Sequence, residues 1–390
     1  MIVSPLSGRS SAIRDALLSH GWEGDVARLT AAGLDGSAYH VTSLSSDTIE
    51  AMLMVASRLG LELITGDDWI VLAGARSRLG AFARPWVQPE PVRALAEAIG
   101  MAMPGEPLAG WKHAQGVQAL GHPVIIGIIN VSPDSFSGGG APVGVEAALG
   151  AAELMLAGGA TLIDLGGEST SPGARPIAPE EELSRVLPVL LALRQRYPDL
   201  PISIDTVHAS TAEATLDAGA AIINDVTAGR HDPALLSLVA ERGAGVVLSH
   251  SRGALGALAS YDLADYGGSV TDGVTRELAA AITAARDAGI AHEAIVIDPG
   301  FGFAKTPEQN FQLLSELDAL VALGAPVLVG PSRKRFLGEA TGRPIDDRER
   351  ATAAVCALAC DRGARLFRLH DPAASRDALA IATALHPGPP

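Results

Sequence analysis

From about residue 119 the chain alternates a short apolar run with a segment long enough for a helix, and it does so eight times. This rhythm limits the folds open to the chain more than any single residue does. The runs are Val124–Ile129, Thr161–Leu165, Ile202–Ile204, Ala221–Ile223, Gly245–Leu248, Ala294–Ile297, Pro326–Val329 and Ala364–Leu369. Between them lie amphipathic, Ala/Leu-rich segments such as Glu180–Tyr197, Gly273–Ala288 and Gln309–Leu323. Strands joined through helices run parallel and need cover on both faces. Eight such units over about 260 residues are the arithmetic of a (β/α)8 TIM barrel. A doubly wound open sheet shares the periodicity. Closure is favoured because nearly every run delivers a polar residue at its C-terminal end, where a barrel gathers its loops into one site.

Residues 1–110 read differently, as a small α+β extension whose role the sequence leaves open. A helix is expected over Asp47–Leu59, capped near Ser46, followed by a hairpin of Leu61–Ile64 and Trp69–Ala73 turning at Gly66-Asp67-Asp68. Pro85, Pro89, Pro91, Pro104 and Pro107 then punctuate a linker-like stretch that holds one short helix, Val92–Met101. The barrel is expected over 119–390.

Composition narrows the function. With 48% hydrophobic residues the chain can bury a large core. Its 44 Asp and Glu outnumber its 29 Lys and Arg, and a net charge of −15 repels phosphate backbones and anionic lipid. No nucleic acid and no membrane partner is expected, and the start of the chain lacks the apolar core of a secretory signal. The two cysteines, Cys356 and Cys360, sit four residues apart in a helical stretch and read as core residues of a reduced, cytoplasmic protein.

The strand ends carry the chemistry. The first run ends in Asn130 and opens a Gly/Ser-rich loop containing Asp134, Ser135, Phe136 and Ser137. The second yields Asp164 and a second such loop through Thr170, Ser171 and Pro172, and two adjacent loops of this kind suit a lid. Asp205 and Asn224 close the third and fourth runs, offering acceptors and donors to the edge of a heterocycle. The sixth leads through Asp298 to Phe303, and the seventh to Ser332, Arg333 and Lys334. In the eighth, alternation sends Arg368 and His370 to the same side, a pair suited to phosphate or pyrophosphate. No P-loop or GxGxxG signature accompanies them.

Taken in order, IINVSPDSFSGGG, DLGGESTSPGA, SIDT, INDV, DPGFGFAKT, PSRKRFLG and RLHD resemble the dihydropteroate synthase family over about residues 120–385. The resemblance implies a pterin-binding TIM barrel. Its implied reaction joins 6-hydroxymethyl-7,8-dihydropterin pyrophosphate to 4-aminobenzoate, giving 7,8-dihydropteroate and pyrophosphate for folate synthesis, with Mg2+ on the pyrophosphate. It also implies roles by motif position. Asp205, Asn224, Asp298 and Lys334 would hold the pterin, while Asn130, Arg368 and His370 would hold pyrophosphate, with Asn130 as the metal contact. Thr170, Pro172, Phe303 and Ser332 would frame the aminobenzoate, the Asp134–Ser137 loop would close over it, and the working form would be a homodimer.

The chain departs from the family pattern in three places. Ser171 stands where Arg is usual, with Arg175 as the nearby substitute; Ser249 and Ser251 flank His250 where methionines are usual; and Arg335 follows Lys334 where a small residue is common. Two other readings share the barrel, a pterin-binding paralogue without catalysis and a pterin-dependent, corrinoid-linked methyltransferase.

Overall fold

The computed structural model describes residues 1–6, 13, 16–21, 36–102, 108–131, 144–168 and 176–385. They fall into two compact units, Met1–Gly105 and Glu106–Pro390.

The first unit is a four-stranded antiparallel sheet of β1 (Ile2–Leu6), β2 (Gly36–Thr42), β3 (Glu62–Thr65) and β4 (Trp69–Ala75), in the order β1-β2-β4-β3. Helices α1 (Ser46–Leu59), α2 (Arg76–Phe82) and α3 (Glu90–Ala102) accompany it. Alternation in β2 and β4 separates two apolar layers: Tyr39, Val41, Ile70 and Leu72 pack with Met52, Val55, Val92 and Leu95, while Ala38, Val71 and Ala73 pack with Ile13 and Leu17. Ser45, one residue before the expected cap, accepts the Thr48 N–H at 3.2 Å.

The second unit is the barrel. A hairpin, β5 (Gly110–His113) and β6 (Gly116–Ala119), precedes eight parallel strands: β7 (Val124–Asn130), β8 (Leu162–Gly166), β9 (Ile202–Asp205), β10 (Ile222–Asp225), β11 (Gly245–Ser249), β12 (Ile295–Asp298), β13 (Leu328–Val329) and β14 (Leu366–Leu369). Between and after them run α4 (Val145–Ala157), α5 (Pro179–Arg196), α6 (Ala209–Asp217), α7 (Ala234–Glu241), α8 (Val270–Asp287), α9 (Pro307–Ser315), α10 (Asp318–Val321), α11 (Arg335–Thr341), α12 (Glu349–Asp361) and α13 (Pro372–Ala384). The sheet runs β12-β11-β10-β9-β8-β7-β14-β13, and a parallel bridge from Ile297 to Val327 joins its two ends. The ring closes as a TIM barrel, and the open doubly wound sheet is set aside.

The period of two along each strand sorts the residues by layer. Ile125, Ile129, Ile163, Leu165, Ile204 and Ile223 face outward into the layer shared with the helices. Val124, Ile126, Leu162, Ile222, Val247, Val296 and Leu366 face inward and fill the N-terminal half of the barrel. The hairpin seals that end. Trp111 is fully buried among these inner side chains, and its indole N–H donates to the Ala294 carbonyl at 3.0 Å. The inward residues at the other end are polar. Cys356 and Cys360 are buried, unoxidised members of the outer layer on α12.

Candidate active site

Inward parity brings Asn130, Asp164, Asp205, Asn224, Asp298 and Arg368 to the C-terminal ends of their strands. In register, Asn130 pairs with Gly166 and Gly166 with Asp205. A Cβ on Gly166 would meet Asn130 Oδ1 at 3.3 Å and Asp205 Cβ at 3.5 Å, so glycine lets the two side chains approach. Asp225, one residue after Asn224, faces the other way. Its carboxylate accepts the Thr227 N–H and hydroxyl, each at 2.7 Å, and shapes its own loop.

At the base of the cleft Arg368 joins two carboxylates. Its Nε donates to Asp164 Oδ2 at 2.6 Å and its Nη2 to Asp205 Oδ2 at 2.7 Å, while Asn224 Nδ2 donates to the same Asp164 oxygen at 3.1 Å. Asp164 Oδ1 is buried and accepts no hydrogen bond among the described residues. Burial pushes the Asp205 carboxyl above the usual range, with Arg368 opposing it. Asp298 is raised in the same way by burial, against the Gly300 N–H, which donates to its Oδ1 at 2.7 Å, and against Lys334. Lys334 is drawn down to about 8 by burial and by Arg368, with Asp298 and Asp205 opposing. Its ammonium lies 4.1 Å from the centre of the Phe303 ring, a cation–π contact.

Above this base opens a cleft of about 410 Å3, within the range of small-molecule sites. Asn130, Asp205, Phe303, Ser332, Lys334, Arg368 and His370 all line it, so seven of the residues expected from the sequence share one cavity. Asn224 and Asp298 belong to the buried polar layer beneath. His370 Nδ1 lies 3.0 Å from Ser332 Oγ, and burial together with Arg368 lowers its pKa to about 3, so the imidazole is neutral at pH 7. Arg333, Arg335 and Arg348 stand around the mouth. Arg333 pairs with Glu349 at 2.5 Å, Arg335 lies over the Tyr261 ring at 3.8 Å, and Arg348 donates to the carbonyls of Arg333 and Arg343. The expected loop residues Asp134, Ser135, Phe136 and Ser137, and Thr170, Ser171, Pro172 and Arg175, lie outside the described residues.

The sequence profile of the family described as pterin binding enzyme matches residues 126–370. The chain belongs to the pterin binding enzymes. Dihydropteroate synthases are among its relatives in that family. That of Mycobacterium leprae is 45% identical over 272 residues, covering 68% of this chain and 94% of the relative. That of Synechocystis is 42% identical over 263 residues, covering 67% and 89%. Among solved structures, Xanthomonas albilineans dihydropteroate synthase with 4-aminobenzoic acid superposes with a TM-score of 0.66 at 43% identity, covering 72% of this chain and all of that one. The same enzyme in complex with 7,8-dihydropteroate gives 0.62 at 42%, covering 70% and 97%.

Against the dihydropteroate synthase pattern, the serines around His250 have partners of their own. Ser251 Oγ donates to the Val226 carbonyl at 2.6 Å and accepts from Arg230 at 2.8 Å, and Ser249 is buried. Two residues matter here to which the motifs alone assign no role. Asp164 is the shared partner of Arg368 and Asn224, and strand parity signals it: Ile163 and Leu165 are the apolar outward pair, so Asp164 must point in. Lys305 is fully buried, a placement that a basic residue in a Gly-rich loop does not announce.

Proposed function

We propose that this pterin-binding enzyme acts as a dihydropteroate synthase, a transferase of folate biosynthesis. It would condense 6-hydroxymethyl-7,8-dihydropterin pyrophosphate with 4-aminobenzoate to 7,8-dihydropteroate and pyrophosphate. The observation that carries the reading is one cleft with two characters. Its base is a set of carboxylates, amide and ammonium, of which Asp164, Asn224 and Asp298 are buried and Asp205 and Lys334 half-buried, and its mouth is cationic. A pterin edge is rich in N–H donors beside a carbonyl, and it fits acceptors flanked by one ammonium donor. Asp164 Oδ1 is a buried acceptor in want of such a donor.

The reaction balances without a general base. The amine nitrogen of aminobenzoate forms a bond to the pterin methylene carbon as the C–O bond to pyrophosphate breaks, its electron pair leaving on oxygen; the amine then releases a proton to water or to the departing anion. Asp205 and Asp298 stabilise positive charge developing on the pterin methylene. Arg368 has five N–H donors and gives two to the carboxylates, so others remain for pyrophosphate. His370 and Ser332 supply neutral hydrogen bonds beside it, and Phe303 offers an aromatic wall to the aminobenzoate ring.

The family resemblance implies Mg2+. Among the described residues no cluster of three or more acidic, His or Cys side chains is placed to hold a metal. Asn130 presents an amide oxygen at the cleft instead, and a hard donor of this kind suits an ion held mainly by phosphate oxygens and water. Bound there, Mg2+ would neutralise charge on the leaving pyrophosphate. The working form is proposed to be a cytoplasmic homodimer. The family resemblance supports the dimer, and two buried, unoxidised cysteines support the reducing compartment. No helix among the described residues is long and apolar enough to cross a membrane.

The test is pyrophosphate release by the full chain with the pterin pyrophosphate, 4-aminobenzoate and Mg2+. Release that depends on both substrates is the expected result. Folded protein that binds pterin and releases none would identify a non-catalytic paralogue.

A further inference from the structure

Outside the residues that line the cleft, a chain of buried and half-buried polar groups grips the turn between β12 and α9. Lys305 is fully buried, and its ammonium has three N–H donors and three acceptors: His250 Nδ1 at 2.9 Å, the Gly300 carbonyl at 3.1 Å and the Phe303 carbonyl at 3.0 Å. An ammonium donating to Nδ1 fixes the His250 tautomer, with the proton on Nε2, and that N–H points at Glu277 Oε2 3.0 Å away. Arg252 pairs with Glu277 from the other side and lies over the Tyr266 ring at 3.9 Å. The Tyr266 hydroxyl in turn donates to the Ala304 carbonyl at 3.1 Å. The turn is also held from α9, where Asn310 Oδ1 accepts the Gly302 N–H at 2.8 Å.

The gripped turn is the one that addresses the pterin end of the cleft. Its Gly300 N–H orients the Asp298 carboxylate, and its Phe303 ring faces the Lys334 ammonium. Three of its residues, Gly300 (φ +67°), Gly302 (φ +81°) and Ala304 (φ +45°), are left-handed; the two glycines adopt this freely, but Ala304 is strained there and needs external contacts to hold it. A lysine kept only to fill space would be a poor choice here, because burying an ammonium is costly unless every donor is used. The same turn built on an apolar side chain would leave the Phe303 carbonyl and an imidazole nitrogen without the donor that Lys305 supplies, and the Gly300 carbonyl with the Phe303 N–H alone.

We infer that Lys305 is a positioning residue for pterin recognition: held by His250 and Glu277, it fixes the Pro299–Ala304 turn so that Asp298, and Lys334 through its contact with the Phe303 ring, meet the pterin in one geometry. The inference rests on the pterin-binding reading and adds three residues to it, none of which lines the cleft. Aminobenzoate recognition should suffer less than pterin recognition, because it draws on this turn only through the Phe303 ring, whereas Ser332 is held by His370.

The test compares Lys305→Met, His250→Leu and His250→Asn in the full chain. Equilibrium binding of the pterin pyrophosphate and the KM for 4-aminobenzoate are measured on each, with thermal melts as a check on folding. The Asn carboxamide oxygen can take the place of His Nδ1 as acceptor, and Leu cannot. Lys305→Met and His250→Leu should weaken pterin binding tenfold or more, His250→Asn should stay within about threefold of wild type, and the aminobenzoate KM should change by a clearly smaller factor than pterin affinity in the first two. If Lys305→Met does not fold, the His250 pair decides alone. Equal pterin affinity in His250→Leu and His250→Asn, wild-type affinity in Lys305→Met, or matched losses for both substrates would overturn the proposal. Because pterin binding is read at equilibrium, absence of pyrophosphate release by the wild type would count against the activity and leave this result standing.

Discussion

Replacing Gly300 with alanine puts a methyl group where the His250 carbonyl oxygen already is. An ideal Cβ at this position would lie 1.8 Å from that oxygen, and the obstacle is backbone, which cannot swing aside as a side chain can. The residue also has φ +67°. Gly342 has nearly the same φ, +69°, but a Cβ there would meet nothing within 4 Å. Comparing the two alanine variants therefore separates conformation from collision. Left-handed backbone costs an alanine about 1–2 kcal/mol, partly offset by about 0.4–1 kcal/mol of lost freedom in the unfolded chain. Gly342→Ala should thus lose about 1 kcal/mol. Gly300→Ala adds overpacking of about 1–3 kcal/mol, for a total of about 2–4 kcal/mol. The turn must shift to relieve the clash, and that carries the Gly300 N–H away from Asp298. A hydrogen bond to a charged group is worth about 1.5–3 kcal/mol, so pterin affinity should fall on the order of ten- to a hundredfold in Gly300→Ala and stay unchanged in Gly342→Ala. Urea denaturation and equilibrium pterin binding measure both quantities. Equal stability losses in the two variants, or unaltered pterin affinity in Gly300→Ala, would refute the reasoning.

Other outcomes follow from the same geometry. Asp298→Asn keeps the shape and removes the charge, and should lower kcat/KM by several kcal/mol, on the order of one to two charge-assisted hydrogen bonds; near-wild-type turnover would take Asp298 out of the site. Lys334 loses its proton as pH rises through about 8, so pterin affinity should fall about tenfold by pH 9 in the wild type, whereas Lys334→Ala should bind poorly at all pH values and Lys334→Arg should not restore binding. His250 is held at about 4, below its unfolded value of 6.5, so between these values the unfolded chain takes up the proton first and stability falls with pH. Relative to His250→Asn, wild type should lose on the order of 3 kcal/mol between pH 7 and pH 4, read from denaturation midpoints. A chain beginning at Glu106 should fold and turn over, whereas one beginning at Gly121 loses Trp111 and should be about 3–5 kcal/mol less stable, as circular dichroism melts will report.

The barrel was legible because its strands are buried on both faces and so read as unbroken apolar runs, each closed by a polar residue. The hairpin ahead of it was not, since Gly110–His113 and Gly116–Ala119 have four residues each, too few for the alternation of Trp111, Lys112 and His113 to stand out; burial of Trp111 under the strands gives them a purpose. Among site residues, those at strand ends are found by position alone. The roles of Asp164 and Lys305 depend on partners distant in sequence. Asp164 acquires its role from Arg368, 204 residues away, and Lys305 from His250, 55 residues away, and no local pattern encodes such a pairing. Arg368 and His370 were read together as a phosphate pair. In three dimensions Arg368 is already tied to two carboxylates and His370 is neutral, because burial beside a guanidinium disfavours a second cation.

The Arg368 bridge grades polarity along the barrel axis. Its positive charge is answered at depth by Asp164 and Asp205, whereas Arg333, Arg335 and Arg348 are gathered at the opening of a chain whose net charge is −15. An anion diffusing over this acidic surface meets a local cluster of guanidinium groups at the mouth. A molecule with a neutral, donor-rich ring at one end and a phosphate tail at the other is sorted on approach: the tail is caught outside by charge while hydrogen-bond matching draws the ring inward. Such grading would make entry directional, tail outward and ring inward, with the carbon between them at the level of Arg368.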